Sequence, residues 1–204
     1  MCPGIFCATL VAMENPILRR QILRLGAVSA AALVWSSPLD AECDETQDNI
    51  EGPYYKAGAP ERTTLIEPGM KGVPLAVSGR VLNTRCEPLA HAVLDVWQCD
   101  ADGVYDLKGF TLRGKLQADK NGRYELRTIL PPPYKVSETR SRPSHIHLKI
   151  SAPGIPALTT QLYFEGDKWN AVDGAYRKSL TINPRDERKG IKVAAFDFNL
   201  KAAG

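Results

Sequence analysis

Histidine is almost missing from this chain, with 3 in 204 residues, so any site that needs several imidazoles must draw on very few positions. Basic runs interleaved with aromatics are missing too. The net charge is only +3, which argues against a nucleic-acid partner. No fixed-period repeat and no low-complexity segment appears. After residue 43 there is no sustained 3.6-residue apolar period, which excludes helical bundles and solenoids. What remains is 44% apolar and 24% charged. That composition, at this length, suits one globular domain with a real core.

The first forty residues differ from the rest. LRRQILRLGAVSAAALVW places Arg19, Arg20 and Arg24 before an apolar run from Leu25 to Trp35, and SSPLDAEC follows. The run is too short to span a bilayer as a helix. Its charged, apolar, then small and polar order is that of an export signal, and the paired arginines resemble a twin-arginine signal. Residues 1–42 are therefore read as leader and linker, with Met1 or Met13 as the start. The mature chain, 43–204, is expected to be periplasmic or extracellular and to keep no membrane anchor.

In an oxidising compartment Cys43, Cys86 and Cys99 remain. Cys86 sits in the turn NTRCEPLAH and Cys99 ends the following strand-like run. If those runs form a regular hairpin, Cys99 lies roughly 20 Å from the turn. Cys43–Cys86 is then the favoured pairing.

Short strand-like segments follow an irregular arm, EGPYYKAGAPERTTL. They are PLAVSGRVL, AVLDVWQC, LRGKLQAD, GRYELRTIL, HIHLKIS, TTQLYFEG, KSLTIN and KVAAFDFNL. Turn formers punctuate them, and DKNG before RYELRT reads as a hairpin turn. An all-β antiparallel sandwich with a loop-built site is expected. In HIHLKIS, His145 and His147 alternate with Ile146, Leu148 and Ile150, so the imidazoles share one face of a half-buried strand. Two imidazoles so placed suit one metal ion.

Four blocks surround that pair: VWQCDADGVYD (Val96–Asp106), ADKNGRYELRTILPPPY (Ala118–Tyr134), SRPSHIHLKIS (Ser141–Ser151) and TTQLYFEGD (Thr159–Asp167). In this order they resemble the intradiol ring-cleavage dioxygenases, the family of the protocatechuate and catechol dioxygenases, from about Glu51 to the C-terminus. The resemblance implies a non-haem Fe(3+) held by Tyr105, Tyr134, His145 and His147. It implies Arg142 and Gln161 beside the substrate, with Gly52, Pro53 and Tyr54 lining the pocket. It also implies that Tyr134 takes a substrate proton. The partners would be a catecholic substrate and O₂, and the product a muconate-type diacid. The residue types agree with that chemistry, because hard anionic phenolates favour the ferric ion whereas thiolates suit other metals. Arg142 is permanently cationic and would stabilise negative charge on the ring. Trp97, Tyr163 and Phe164 read as core, and His91 as a surface turn residue.

Tyr105 and Tyr134 stand 29 positions apart, closer than in the protocatechuate enzymes, and no helical N-terminal dimer domain like that of the catechol 1,2-dioxygenases is expected. Substrate and assembly, including a homo-oligomer, therefore do not carry over. Two other readings compete. One is a non-catalytic transthyretin-like sandwich that binds a small aromatic or a protein. The other is a zinc or copper protein that uses the histidines alone.

Overall fold

A computed structural model describes residues 42–187 and 190–201, so the expected leader, Glu42 apart, lies outside the described residues. The alternating segments form β1 (Pro74–Asn83), β2 (Val93–Trp97), β3 (Arg113–Gln117), β4 (Arg123–Ile129), β7 (His145–Ala152) and β8 (Ile155–Phe164). Short strands complete the set: β5 (Tyr134–Lys135), β6 (Ser141–Arg142), β9 (Thr181–Ile182), β10 (Arg185–Asp186), β11 (Lys192–Ala195) and β12 (Phe198–Leu200). KSLTIN, expected as a strand, begins instead as the 3₁₀ turn Lys178–Leu180. Among the described residues no helix is long and apolar enough to cross a membrane.

One sheet is built on β1, with β4 antiparallel on one side and β11 then β12 parallel on the other; β10 flanks β11. The second runs β3-β2-β7-β8-β9. Alternation turns Leu75, Val77, Leu126, Leu94, Val96, Ile146, Leu148 and Leu162 into one core between the sheets. Burial of Ile146, Leu148 and Ile150 contributes about 1.5–3 kcal/mol each. The sandwich expectation holds, but the sheets are mixed rather than purely antiparallel. β9 lies parallel to β8, a pairing that requires the long crossover 165–180. Between β11 and β12 the carbonyl of Phe196 bulges toward β1, where a Cβ on Gly79 would come within 1.8 Å of it.

Two expected hairpins are corrected. DKNG does make a tight turn, with Asp119 Oδ1 accepting the N–H groups of Asn121 and Arg123 at 2.8 Å. Yet β3 pairs with β2 and β4 pairs with β1, so the turn carries the chain from one sheet to the other. NTRCEPLAH likewise joins β1 to β2 across the sandwich. A turn's local hydrogen bonds reverse the chain without choosing the partner strand. The Cys43–Cys86 bridge forms as expected, with 5.3 Å between the Cα atoms, and Cys99 is free and buried.

The bridge anchors an arm that runs along both sheets. Backbone bonds tie Thr46 to Asn199, Asn49 to Thr159, Arg62 to Lys115 and Leu65 to Arg127, at 2.7–2.9 Å. The arm thereby crosses the outer face of the second sheet, over β8, β7, β2 and β3.

Candidate metal centre

Under that arm, Arg113, Trp97, His147 and Gln161 are direct cross-strand neighbours on β3, β2, β7 and β8. His145 lies one pleat further along, opposite Tyr163. The expectation of a half-buried β7 needs correction here. Ile146, Leu148 and Ile150 face the core as predicted, but His145 and His147 are each only 1% exposed, because the arm covers the opposite face. Gly52 approaches closely enough that a Cβ there would stand 3.3 Å from His147 Cε1, and its φ of +73° suits glycine.

The two phenols come from loops. Asp100 Oδ1 accepts the N–H groups of Asp102 and Val104 at 2.9 Å, which shapes the DADG turn before Tyr105. Just after it, the Asp106 carboxylate collects the N–H groups of Lys108, Gly109 and Thr111 at 2.7–2.9 Å. Those backbone donors, Thr111 and Gly109 foremost, hold it well below the usual carboxylate range. Tyr134 leaves the triple proline on β5, whose partner β6 sets Tyr134 directly opposite Arg142.

The donor atoms converge. His145 Nε2 lies 3.1 Å from His147 Nε2 and 3.3 Å from Tyr105 Oη. The Tyr134 ring centroid is 5.5 Å from that of His145 and 5.6 Å from that of Tyr105. Ligand bonds of about 2.0–2.1 Å place neighbouring donor atoms about 2.9–3.4 Å apart, so these separations fit a single ion. Proton positions agree. His145 Nδ1 lies 2.6 Å from the Pro143 carbonyl, which can only accept, so Nδ1 carries the hydrogen and Nε2 turns its lone pair to the centre. Burial pulls the His145 pKa down to about 3 and that of His147 well below its ordinary value, so both rings are neutral. His147 Nδ1 is buried without a hydrogen-bond partner among the described residues. Burial also raises both phenols, Tyr105 strongly, and the Arg142 guanidinium opposes the rise at each without cancelling it. A cation would reverse that balance and make phenolates. Among the described residues no group of three His, Cys, Asp or Glu side chains could hold a metal ion, and the side-chain oxygen beside the histidine pair is Tyr105 Oη.

The other predicted residues also gather here. Tyr54 stacks on Tyr105 with centroids 4.4 Å apart and meets Tyr134 edge-on at 6.1 Å. Gln161 is fully buried; its Nε2 donates to the Ile50 carbonyl at 2.7 Å and its Oε1 accepts Arg142 Nη2 at 3.0 Å. Pro53, by contrast, is exposed. His91 is an exposed turn residue, as read.

Three residues gained a place that the sequence reading had not given them. Trp97, read as core, stacks on His147 at 4.9 Å and 8°. Tyr163, also read as core, presents its hydroxyl to Arg142 Nη2 at 3.1 Å and donates to Gln161 Oε1 at 2.9 Å. Asp173 pairs with Arg142 at 2.8 Å. Period two could have placed Tyr163 on the Gln161 face, but no local signal marks Asp173.

Residues 50–204 match the family described as Dioxygenase. The chain belongs to the intradiol ring-cleavage dioxygenases. A chlorocatechol 1,2-dioxygenase of Pseudomonas putida is 35% identical over 73% of this chain and 65% of its own length. A 6-chlorohydroxyquinol 1,2-dioxygenase of Cupriavidus pinatubonensis is 33% identical over 76% of this chain and 64% of its own length. This chain thus spans a little under two thirds of those relatives. Among solved structures, the dioxygenase domain of a dioxygenase carbohydrate-binding protein fusion from Streptomyces sp. SirexAA-E is 42% identical. It aligns with a TM-score of 0.72, over 78% of this chain and 100% of that domain.

Proposed function

We propose that this intradiol family member is a non-haem ferric dioxygenase that cleaves a catechol-type ring between its two hydroxyl-bearing carbons. Both atoms of O₂ enter the product, a muconate-type diacid. The observation that carries the reading is the convergence of His145 Nε2, His147 Nε2 and Tyr105 Oη within 3.1–3.3 Å, with Tyr134 alongside. Those four residues would hold the iron. The ferric ion would supply the positive charge that keeps the phenols ionised and binds the catechol oxygens.

The chain's own residues do the rest. Tyr134 Oη accepts a catechol proton. Arg142 directs Nη1 at the centre, 3.4 Å from His145 Nε2, and offers an N–H to negative charge that develops on the ring. Gln161 holds that guanidinium from the sheet side. Gly52 and Tyr54 wall the ring, and their aromatic and backbone surface excludes water from the reacting atoms. Export behind a twin-arginine-like leader belongs to the same proposal, and the Cys43–Cys86 bridge supports it, since such bridges persist in oxidising compartments.

The test is the visible spectrum of iron-loaded protein before and after catechol is added in air. A red-brown charge-transfer band that shifts on mixing and then recovers is expected. A colourless protein with full iron would remove the tyrosines from the metal. Tyr105→Phe and Tyr134→Phe should each abolish or move the band; full metal and full activity in both would overturn the reading.

A further inference from the structure

We propose that Asp173, in the crossover between β8 and β9, is the positioning residue that aims Arg142 at the reacting ring. This rests on the dioxygenase reading of Arg142.

Arginine carries five N–H donors in a rigid planar fork, so the groups that grip one edge decide where the other points. Here Nε donates to Asp173 Oδ2 at 2.8 Å. Nη2 donates to Gln161 Oε1 at 3.0 Å, to Tyr163 Oη at 3.1 Å and, at 3.4 Å, to Asp173 Oδ1. Nη1 is left to face His145 Nε2 at 3.4 Å, on the side of the metal donors. Without Asp173, Nε loses its acceptor and the two shorter contacts that remain, to Gln161 and Tyr163, both sit on Nη2, with only the 3.4 Å contact to His145 Nε2 left on Nη1. A fork held at one atom pivots; a fork held at Nε and Nη2 has its plane set. Gln161 and Tyr163 therefore cannot do this alone.

Asp173 is itself fixed. Its Oδ1 accepts the Ala175 N–H at 2.8 Å. The Ala175 carbonyl accepts Asn49 Nδ2 at 2.7 Å, which ties the crossover to the arm. Tyr176 packs edge-on against Tyr163 at 5.3 Å. The Arg142 and Asp173 side chains are 13% and 7% exposed, so water competes little for the pair. The carboxylate also balances a cation that would otherwise stand unpaired beside the donor atoms a metal must reach.

The experiment compares Asp173→Asn, Asp173→Glu, Arg142→Lys and the double variant Arg142→Lys/Asp173→Asn. Turnover of catechol by the iron-loaded proteins is one readout. The hydrogen exchange of the Arg142 Nε–H in the ¹⁵N spectrum of the metal-free proteins is the other, assigned by its disappearance in Arg142→Lys. Asp173→Asn should lower kcat about 10–100-fold, with KM changing less than about threefold, and should speed Nε–H exchange. Asp173→Glu, which keeps the charge, should recover part of both. In the Arg142→Lys background, Asp173→Asn should cost little more, because there is no fork left to aim. A kcat within twofold of wild type in Asp173→Asn, unchanged Nε–H protection, or full additivity in the double variant would each overturn the proposal. If the iron-loaded parent protein shows no tyrosinate charge-transfer band and turns over no catechol, the dioxygenase reading fails, while the exchange measurement still decides whether Asp173 holds the fork.

Discussion

β4 and β7 carry the same written pattern and live in different surroundings. In RYELRTI, Tyr124, Leu126 and Thr128 turn inward, while Arg123, Glu125 and Arg127 stand in water. In HIHLKIS, Ile146, Leu148 and Ile150 turn inward, yet His145 and His147 on the outer face are as buried as the core. Alternation therefore identifies the core face of a strand and says nothing about what covers the other face. On β4 no described residue does, and an Arg127–Glu125 pair at 2.7 Å lies in solvent. On β7 the arm does, and the covered face becomes a site.

That contrast can be broken most severely at the histidines. His145→Ala and His147→Ala should each reduce iron content and cut catechol turnover by more than about a hundredfold, since each deletes a donor from the proposed set of four. Metal analysis alongside kinetics checks it; retention of full iron by either variant would detach β7 from the metal. Removing the arm's anchor comes next. Cys43→Ser/Cys86→Ser, which opens a loop with a sequence separation of 43, should destabilise the domain by about 2–4 kcal/mol. If the cover matters as argued, protease cleavage should then appear first within residues 43–65. Cleavage first in the β4 region would mean that the arm holds without its bridge.

The smallest effects sharpen the comparison. Lys149, third on the outer face of β7, pairs with Glu51 of the arm and lies 4.1 Å over the Tyr55 ring. Lys149→Ala should cost about 0.5–1 kcal/mol in denaturant unfolding. Its β4 counterpart Glu125→Ala should cost less than about 0.5 kcal/mol. Equal losses would erase the distinction between the two faces.

The candidate ligands were legible because four short blocks stand in the order of the intradiol family. Locally only HIH on an alternating strand suggests a metal, whereas Tyr105 beyond a DADG turn and Tyr134 after three prolines take that role from the resemblance. The arm was legible as irregular chain from its glycines and prolines, though not as a lid. Asp173 was illegible, since it meets Arg142 from 31 positions away through a crossover with no periodic pattern. The two sheet crossings were misread as hairpins for a related reason. DKNG satisfies its own backbone through Asp119, whichever strand comes next.

From sequence alone came the all-β class and the inward faces of the strands, which depend on residue chemistry and on spacing within a few positions. The set of phenols and imidazoles came from the resemblance of four ordered blocks to the intradiol family, and the cysteine pairing from setting Cys99 aside. Only the tertiary structure decided which sheet each strand joined, that the outer face of β7 was buried, and that Arg142 was gripped by Asp173. Each of those is a contact between distant segments, and its free energy exists only once the sheets have packed and the arm has closed over them.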